Sequence, residues 1–162
     1  MSDTKNELDI DQIVSQYGAM VYRILHIRLH EPADVEDLYQ EVFMRLMRSN
    51  PAFHDEDHMR AWLCRVAINL SRDLYRSGWH KRTVPISEAD VLTWEEPGES
   101  EVVQAVRQLP ENMRMAVHLH YYEGYAANEI ARILGKKENT VYSDLSRARK
   151  KLRKILSPQR ND

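Results

Sequence analysis

The chain predicts an all-α protein made of two small helical domains joined by a flexible acidic linker. Three observations carry that reading. Apolar residues recur at three- and four-residue steps over long stretches. No stretch alternates apolar and polar residues convincingly, as a half-buried strand does. Turn residues are scarce, with five glycines and six prolines among 162 residues. That length suits one ordinary domain or two small helical ones, and a 43% apolar content fills modest cores.

Each element follows from its own pattern. Ile10, Ile13, Val14, Tyr17, Val21, Ile24 and Leu25 mark a first amphipathic helix. Pro32 permits a new start; Val35, Leu38, Val42, Leu46 and Met47 then line a second helix, which Ser49-Asn50-Pro51 breaks. Trp62, Val66, Leu70 and Leu74 line a third. These helices bury one another's stripes and form a first domain over residues 8–80. Between Thr83 and Ser100 the chain holds Pro85, Pro97, Gly98 and many acids without sustained periodicity, so residues 81–100 are expected to be the linker. The second domain spans 101–157. Pro110 stands where a helix favours proline at its first position, and Met113, Val117 and Tyr121 form a core stripe.

The most informative segment runs from Leu109 to Leu152. Glu129 to Leu134 reads as a short helix with the small Ala131 where two helices cross closely, and Gly135 is its left-handed stop. Val141 follows six residues later. That spacing folds two helices across a tight turn and leaves the outer face of the second free for a DNA groove. The free face comprises Asn139, Thr140, Tyr142, Ser143, Ser146, Arg147 and Arg149.

The net charge of -2 conceals a pattern. Residues 1–58 carry five Lys/Arg against twelve Asp/Glu, a net of -7, and residues 59–82 carry six against one, a net of +5. Residues 83–101 are at -6, 102–135 are neutral, and 136–162 are at +6. Two basic surfaces around an acidic connector suit a protein that touches nucleic acid at two places and a protein elsewhere. The acidic linker, with Glu95, Glu96 and Glu99 and with Glu101 just beyond it, also suggests fold-back shielding of those surfaces. On the second helix Asp34, Asp37 and Glu41 share a face that repels DNA and attracts a basic protein surface. The third helix sets Arg60, Arg65, Arg72 and Arg76 beside Trp62, with Phe53 in the preceding loop. Arginines beside aromatics can hold unstacked bases while neutralising phosphates. Trp62 is read as core before stacking platform, and the Asn69 amide can both donate to and accept from a base edge.

The acidic block Asp34 to Phe43, the block Ala61 to Asn69 and the helix-turn-helix, in this order, resemble the extracytoplasmic-function (ECF) group of the sigma-70 family of bacterial RNA polymerase sigma factors. The resemblance runs from about Ile10 to about Leu156. It implies that residues 8–80 are sigma region 2, a helical bundle, and 101–157 sigma region 4, with the helix-turn-helix. It implies that Asp34, Asp37, Gln40 and Glu41 dock on the clamp helices of the polymerase's largest subunit. By the same resemblance Phe53, Arg60, Trp62, Arg65, Asn69, Arg72 and Arg76 belong to the minus-ten surface. In the minus-thirty-five element Tyr142, Ser143, Ser146 and Arg147 would read bases beside Asn139 and Thr140, while Lys136, Lys137, Arg149 and Lys150 hold phosphates. Apolar surface near Val117 would receive the flap tip of the second-largest subunit, and an anti-sigma factor is a possible further partner. Relatives commonly carry basic residues where Tyr142 and Asp144 stand; an Asp144 carboxylate in the groove would be repelled by phosphate.

Other functions find less support. His26 and His30, and His54 and His58, are four apart, but neither pair is completed by a third ligand motif, so no metal site and no cofactor is expected. No phosphate loop or activated nucleophile suggests catalysis. The single Cys64 excludes an intramolecular disulfide and fits a reducing compartment. No apolar run approaches bilayer length, so no membrane insertion and a cytoplasmic location are expected. A stand-alone helix-turn-helix regulator of duplex DNA is the alternative; it leaves the acidic helix and the tryptophan-arginine helix without a role.

Overall fold

The computed structural model describes residues 8–76 and 100–157, which form seven α-helices and no strand. The first module holds α1 (Ile10–Arg28), α2 (Pro32–Ser49) and α3 (Glu56–Arg76). The second holds α4 (Glu101–Arg107), α5 (Glu111–Val117), α6 (Ala127–Leu134) and α7 (Glu138–Leu156). Apart from Ser100, the expected linker lies outside the described residues, as does the end of the first domain beyond Arg76.

Local chemistry sets the boundaries. The Asp9 carboxylate accepts from Gln12 N–H at 3.1 Å and caps α1, leaving fewer orphan donors at its start. Pro32 opens α2, where its missing N–H costs nothing. Asn50 ends that helix in the left-handed conformation at φ 39°, and Pro51 bars continuation. The Ser100 hydroxyl caps α4 by accepting from Val103 N–H. Pro110 is the residue before the first turn of α5, one position earlier than expected.

The first module packs three helices around Val21, Ile24, Leu25, Val42, Leu46, Leu63 and Ile68, all removed from solvent. Burying each such side chain contributes about 1.5–3 kcal/mol. At Gly18 a side chain would meet the Tyr39 hydroxyl at 2.6 Å, so α1 and α2 approach through that glycine. Met47, expected to line α2, is instead 54% exposed. It follows Leu46 directly, and one residue turns a helix by about 100°, which carries Met47 past the edge of the buried stripe.

In the second module α6 and α7 make the helix-turn-helix. The Glu129 carboxylate accepts from Ala126 N–H at 3.0 Å and closes the first turn of α6. Gly135 stops it at φ 66°, a conformation that disfavours any residue with a Cβ. Ile130, Ala131, Ile133 and Leu134 pack against Val141, Leu145 and Ala148. The buried Arg114 donates to the carbonyls of Arg107 and Leu109, satisfying the end of α4. Tyr121, expected in the core, is 55% exposed. The helix widens to a π-helical turn over His118–Tyr122, and the extra residue per turn rotates Tyr121 off the Met113–Val117 stripe.

The two modules touch. α1 packs on α5 and α3 on α6, so that buried apolar residues of both modules form one cluster.

Candidate protein- and nucleic-acid-binding surfaces

On α2, Asp34, Asp37, Gln40 and Glu41 fall on one side of the helix, away from buried Val35, Val42 and Leu46. Asp37 and Gln40 are exposed, and Asp34 and Glu41 half-buried. Glu41 has Arg45 at 3.4 Å and Arg48 at 3.6 Å, so part of its charge is offset by its own helix. Asp37 therefore presents the less compensated carboxylate.

On α3 the expected minus-ten residues divide. At about 3.6 residues per turn, Arg65, Asn69, Arg72 and Arg76 line one stripe; Arg65, Asn69 and Arg76 are exposed and Arg72 half-exposed. Trp62 flanks this stripe and is half-buried, its ring 5.8 Å from that of Phe53 in an edge-on contact. The ring of Phe53 also meets His58 edge-on. His58 Nδ1 accepts from His54 N–H, so this histidine pair closes the loop entering α3. Arg60 is not brought to the stripe. It lies on the opposite side of the helix with Cys64, Ala67 and Ser71, facing the second module.

The outer face of α7 presents Asn139, Thr140, Tyr142, Ser143, Ser146, Arg147 and Arg149, all exposed, with Lys137 exposed ahead of them and Lys150 beyond. Arg149 donates to the Tyr121 hydroxyl at 3.2 Å, which steadies its stem. Asp144 corrects the expectation of a carboxylate in the groove. It is 3% exposed, accepts from the Asn112 amide at 2.8 Å and has Lys136 at 3.5 Å. The repulsion anticipated there disappears, because the charge points inward and ties α7 to α5. Lys136, expected to hold phosphate, is drawn into that pairing and is only half-exposed.

Behind this face an apolar groove of about 500 Å³ is lined by Val102, Val106, Val117, Tyr121, Tyr122 and Leu152, with Arg149 and Arg153 at its side.

Between the modules lies a group of residues that the sequence reading missed. Glu123 follows the π-helical turn and its carboxylate is 1% exposed. It accepts from Arg23 of α1 at 3.0 and 3.2 Å, a two-pronged contact. Arg60 of α3 donates to its carbonyl at 2.6 Å and to its carboxylate at 3.3 Å. His118 Nε2 stands 3.4 Å away. Burial alone would raise the Glu123 pKa, but the neighbouring His118 ring and the hydrogen bonds from Arg23 outweigh it and hold the carboxyl down to about 2. The Arg60 guanidinium also lies 4.7 Å from the ring centre of Tyr125. The Tyr125 hydroxyl is 3.9 Å from Cys64 Sγ, and burial pushes that thiol up to about 12. Arg28 pairs with Glu111 and donates to Ser71 Oγ, and Arg107 meets His26.

The chain thus sets a three-helix module with an acidic face and an arginine stripe beside a helix-turn-helix module. Residues 13–81 match the model of Sigma-70 region 2, and residues 99–152 that of Sigma-70, region 4. The chain is 32% identical over 158 residues to the ECF RNA polymerase sigma factor SigE of Mycolicibacterium smegmatis, an alignment covering 91% of this chain and 61% of that protein. The chain thus spans about three fifths of that relative's length. Its fold resembles the sigma factor RpoE in complex with the anti-sigma factor NepR from Bartonella quintana, with TM-score 0.73, 22% identity, and coverage of 94% and 99% of the two chains. It also resembles CnrH in complex with the cytosolic domain of CnrY, with TM-score 0.65, 27% identity, and coverage of 91% and 87%. The chain belongs to the sigma-70 family of RNA polymerase sigma factors, in its extracytoplasmic-function group.

Proposed function

We propose that this chain is an alternative sigma factor that directs core RNA polymerase to specific promoters and starts transcription there, without chemistry of its own. The observation that carries this reading is the division of charge. An exposed acidic face on α2 stands apart from the arginine stripe of α3 and the polar, basic face of α7. A carboxylate face repels DNA and fits a basic protein surface, whereas exposed arginines neutralise phosphates. Asp34, Asp37, Gln40 and Glu41 dock on the clamp helices of the largest subunit. Arg65, Asn69, Arg72 and Arg76, with Phe53 and the edge of Trp62, hold the melted minus-ten strand. Tyr142, Ser143, Ser146 and Arg147 read the minus-thirty-five element in the major groove, and Lys137, Arg149 and Lys150 hold its phosphates. The apolar groove beside Tyr121 and Leu152 takes the flap tip of the second-largest subunit. An anti-sigma factor is a further partner of this surface set. The protein works in the cytoplasm, in keeping with the absence, among the described residues, of a helix long and apolar enough to cross a membrane.

Run-off transcription with purified core polymerase on a library of promoter fragments tests this. Discrete transcripts that depend on the added chain are expected. Tight binding of the chain alone to intact duplex, with no transcript from any template, would favour a stand-alone regulator instead.

A further inference from the structure

We infer that Tyr121 is a positioning residue for this chain's grip on duplex DNA: its hydroxyl holds the Arg149 guanidinium, at the edge of α7, in the attitude that meets a phosphate. The inference rests on the DNA-binding reading of α7 and adds to it a residue from outside the helix-turn-helix. An irregular turn carries Tyr121 to its place. Had α5 continued at about 3.6 residues per turn, residue 121 would follow Met113 and Val117 onto the buried stripe. The π-helical turn over His118–Tyr122 sets it outside instead, 55% exposed. Turns of this kind recur where a side chain has to be re-aimed for function. Here the re-aimed hydroxyl accepts from Arg149 Nη1 at 3.2 Å. The ring behind it is propped. His120 packs edge-on against it with centroids 4.7 Å apart, and His120 Nδ1–H donates to the Tyr125 carbonyl at 2.8 Å. The ring also forms part of the apolar groove wall, which holds it from another side.

Arg149 stands apart from its neighbours. Among the described residues, no other lysine or arginine of α7 has a side-chain hydrogen bond or ion pair within the fold. Arg149 has no carboxylate beside it, so its charge stays available, and the hydroxyl occupies one of its five donors. At helical spacing it continues the line of Tyr142 and Ser146 along the exposed face, at the point where that line reaches the groove. An unrestrained arginine gives up rotamer entropy when it meets a phosphate. A hydroxyl that already restrains the side chain lowers this cost, and a neutral partner does so without cancelling the charge that DNA needs.

Fluorescence anisotropy of the purified full chain on a labelled mixed-sequence duplex, titrated over a series of salt concentrations, tests the assignment. Arg149→Ala is expected to weaken binding about tenfold at about 0.1 M salt and to lower the salt slope by about one, because one phosphate is no longer neutralised. Tyr121→Phe keeps the ring in the groove wall and removes only the hydroxyl. It is expected to weaken binding about threefold at an unchanged slope, since the phosphate contact survives and only its preparation is lost. In the Arg149→Ala background Tyr121→Phe is expected to change nothing further, and circular dichroism melting of each variant verifies the fold. A Tyr121→Phe loss that persists without Arg149 overturns the positioning role, because the hydroxyl would then act on DNA or on the fold by itself. Unchanged binding by Tyr121→Phe beside a weakened Arg149→Ala overturns it equally. Unchanged binding by Arg149→Ala removes the phosphate contact, and the positioning with it. Run-off transcription judges the sigma-factor reading by its transcripts, so the two readings fail separately.

Discussion

Replacing Asp144 separates the two possible orientations of the only central carboxylate of α7. The side chain is 3% exposed, accepts from Asn112 at 2.8 Å and lies 3.5 Å from Lys136. Asp144→Ala removes a hydrogen bond to a charged acceptor and leaves the half-buried Asn112 amide without that partner, a loss of about 2 kcal/mol. For a domain of 60–100 residues each kcal/mol moves the melting temperature by about 4–8 °C, so calorimetry should record a fall of about 10 °C in the second module's transition. Asp144→Asn keeps an acceptor for Asn112 and gives up only the attraction to the partly solvated Lys136, so about 1 kcal/mol or less is lost. The order Ala worse than Asn is the signature of an inward carboxylate. Duplex binding gives the opposite test. A carboxylate facing phosphates would, on neutralisation, tighten binding and steepen its salt dependence by about one unit. A tighter Asp144→Ala complex with an unchanged melting temperature would refute the inward placement.

Other outcomes follow from the same geometry. Asp37→Arg, on the exposed side of α2, should weaken core polymerase binding at least about tenfold in a fluorescence competition assay while leaving helicity unchanged. Asn69→Ala should impair open-complex formation, followed by permanganate footprinting, more than closed-complex binding; equal loss of both would argue against strand capture. Gly135→Ala forces a Cβ into φ 66° and should cost about 1 kcal/mol in urea unfolding of the second module. Glu123 has its carboxyl held down to about 2 where the two modules touch, against an ordinary value of 4.5. Its contribution to that contact, with Arg23, Arg60 and His118 around it, is therefore fully present above about pH 4.5 and lost as pH falls toward 2. Scattering across that range should show expansion only in the acid limb, and a transition near neutrality would contradict this reading of Glu123.

Much of this architecture was legible in the chain because helix ends are written locally. Pro32, Asn50-Pro51 and Gly135 each act within a turn of where they stand, and all three boundaries lie where those residues place them; the Asp9 cap of α1 went unread. The exposed side of α7 was legible from Val141, which sets the buried side that Leu145 and Ala148 continue. That stripe also contained the missed signal for Asp144, which falls between Val141 and Ala148 at helical spacing and so shares their side. Arg60 carries a similar signal in Cys64, Ala67 and Ser71, small residues that continue its side of α3. What it would meet there depended on residues more than 60 positions away, and nothing local announces Glu123. Tyr121 was misplaced because a 3.6-residue period was carried through a turn that does not keep it.

The Cys64 thiol gives the chain a native stopwatch. It is the chain's single cysteine, fully enclosed, and its thiol is held protonated by burial, pushed up to about 12. The thiolate is the form that attacks alkylating reagents, so a molecule whose modules are in contact resists them twice over, by access and by ionisation. Each excursion that carries Tyr125 away strips one wall from the sulfur. The speed at which iodoacetamide consumes the unmodified protein thus counts those excursions, with no dye attached and no side chain replaced.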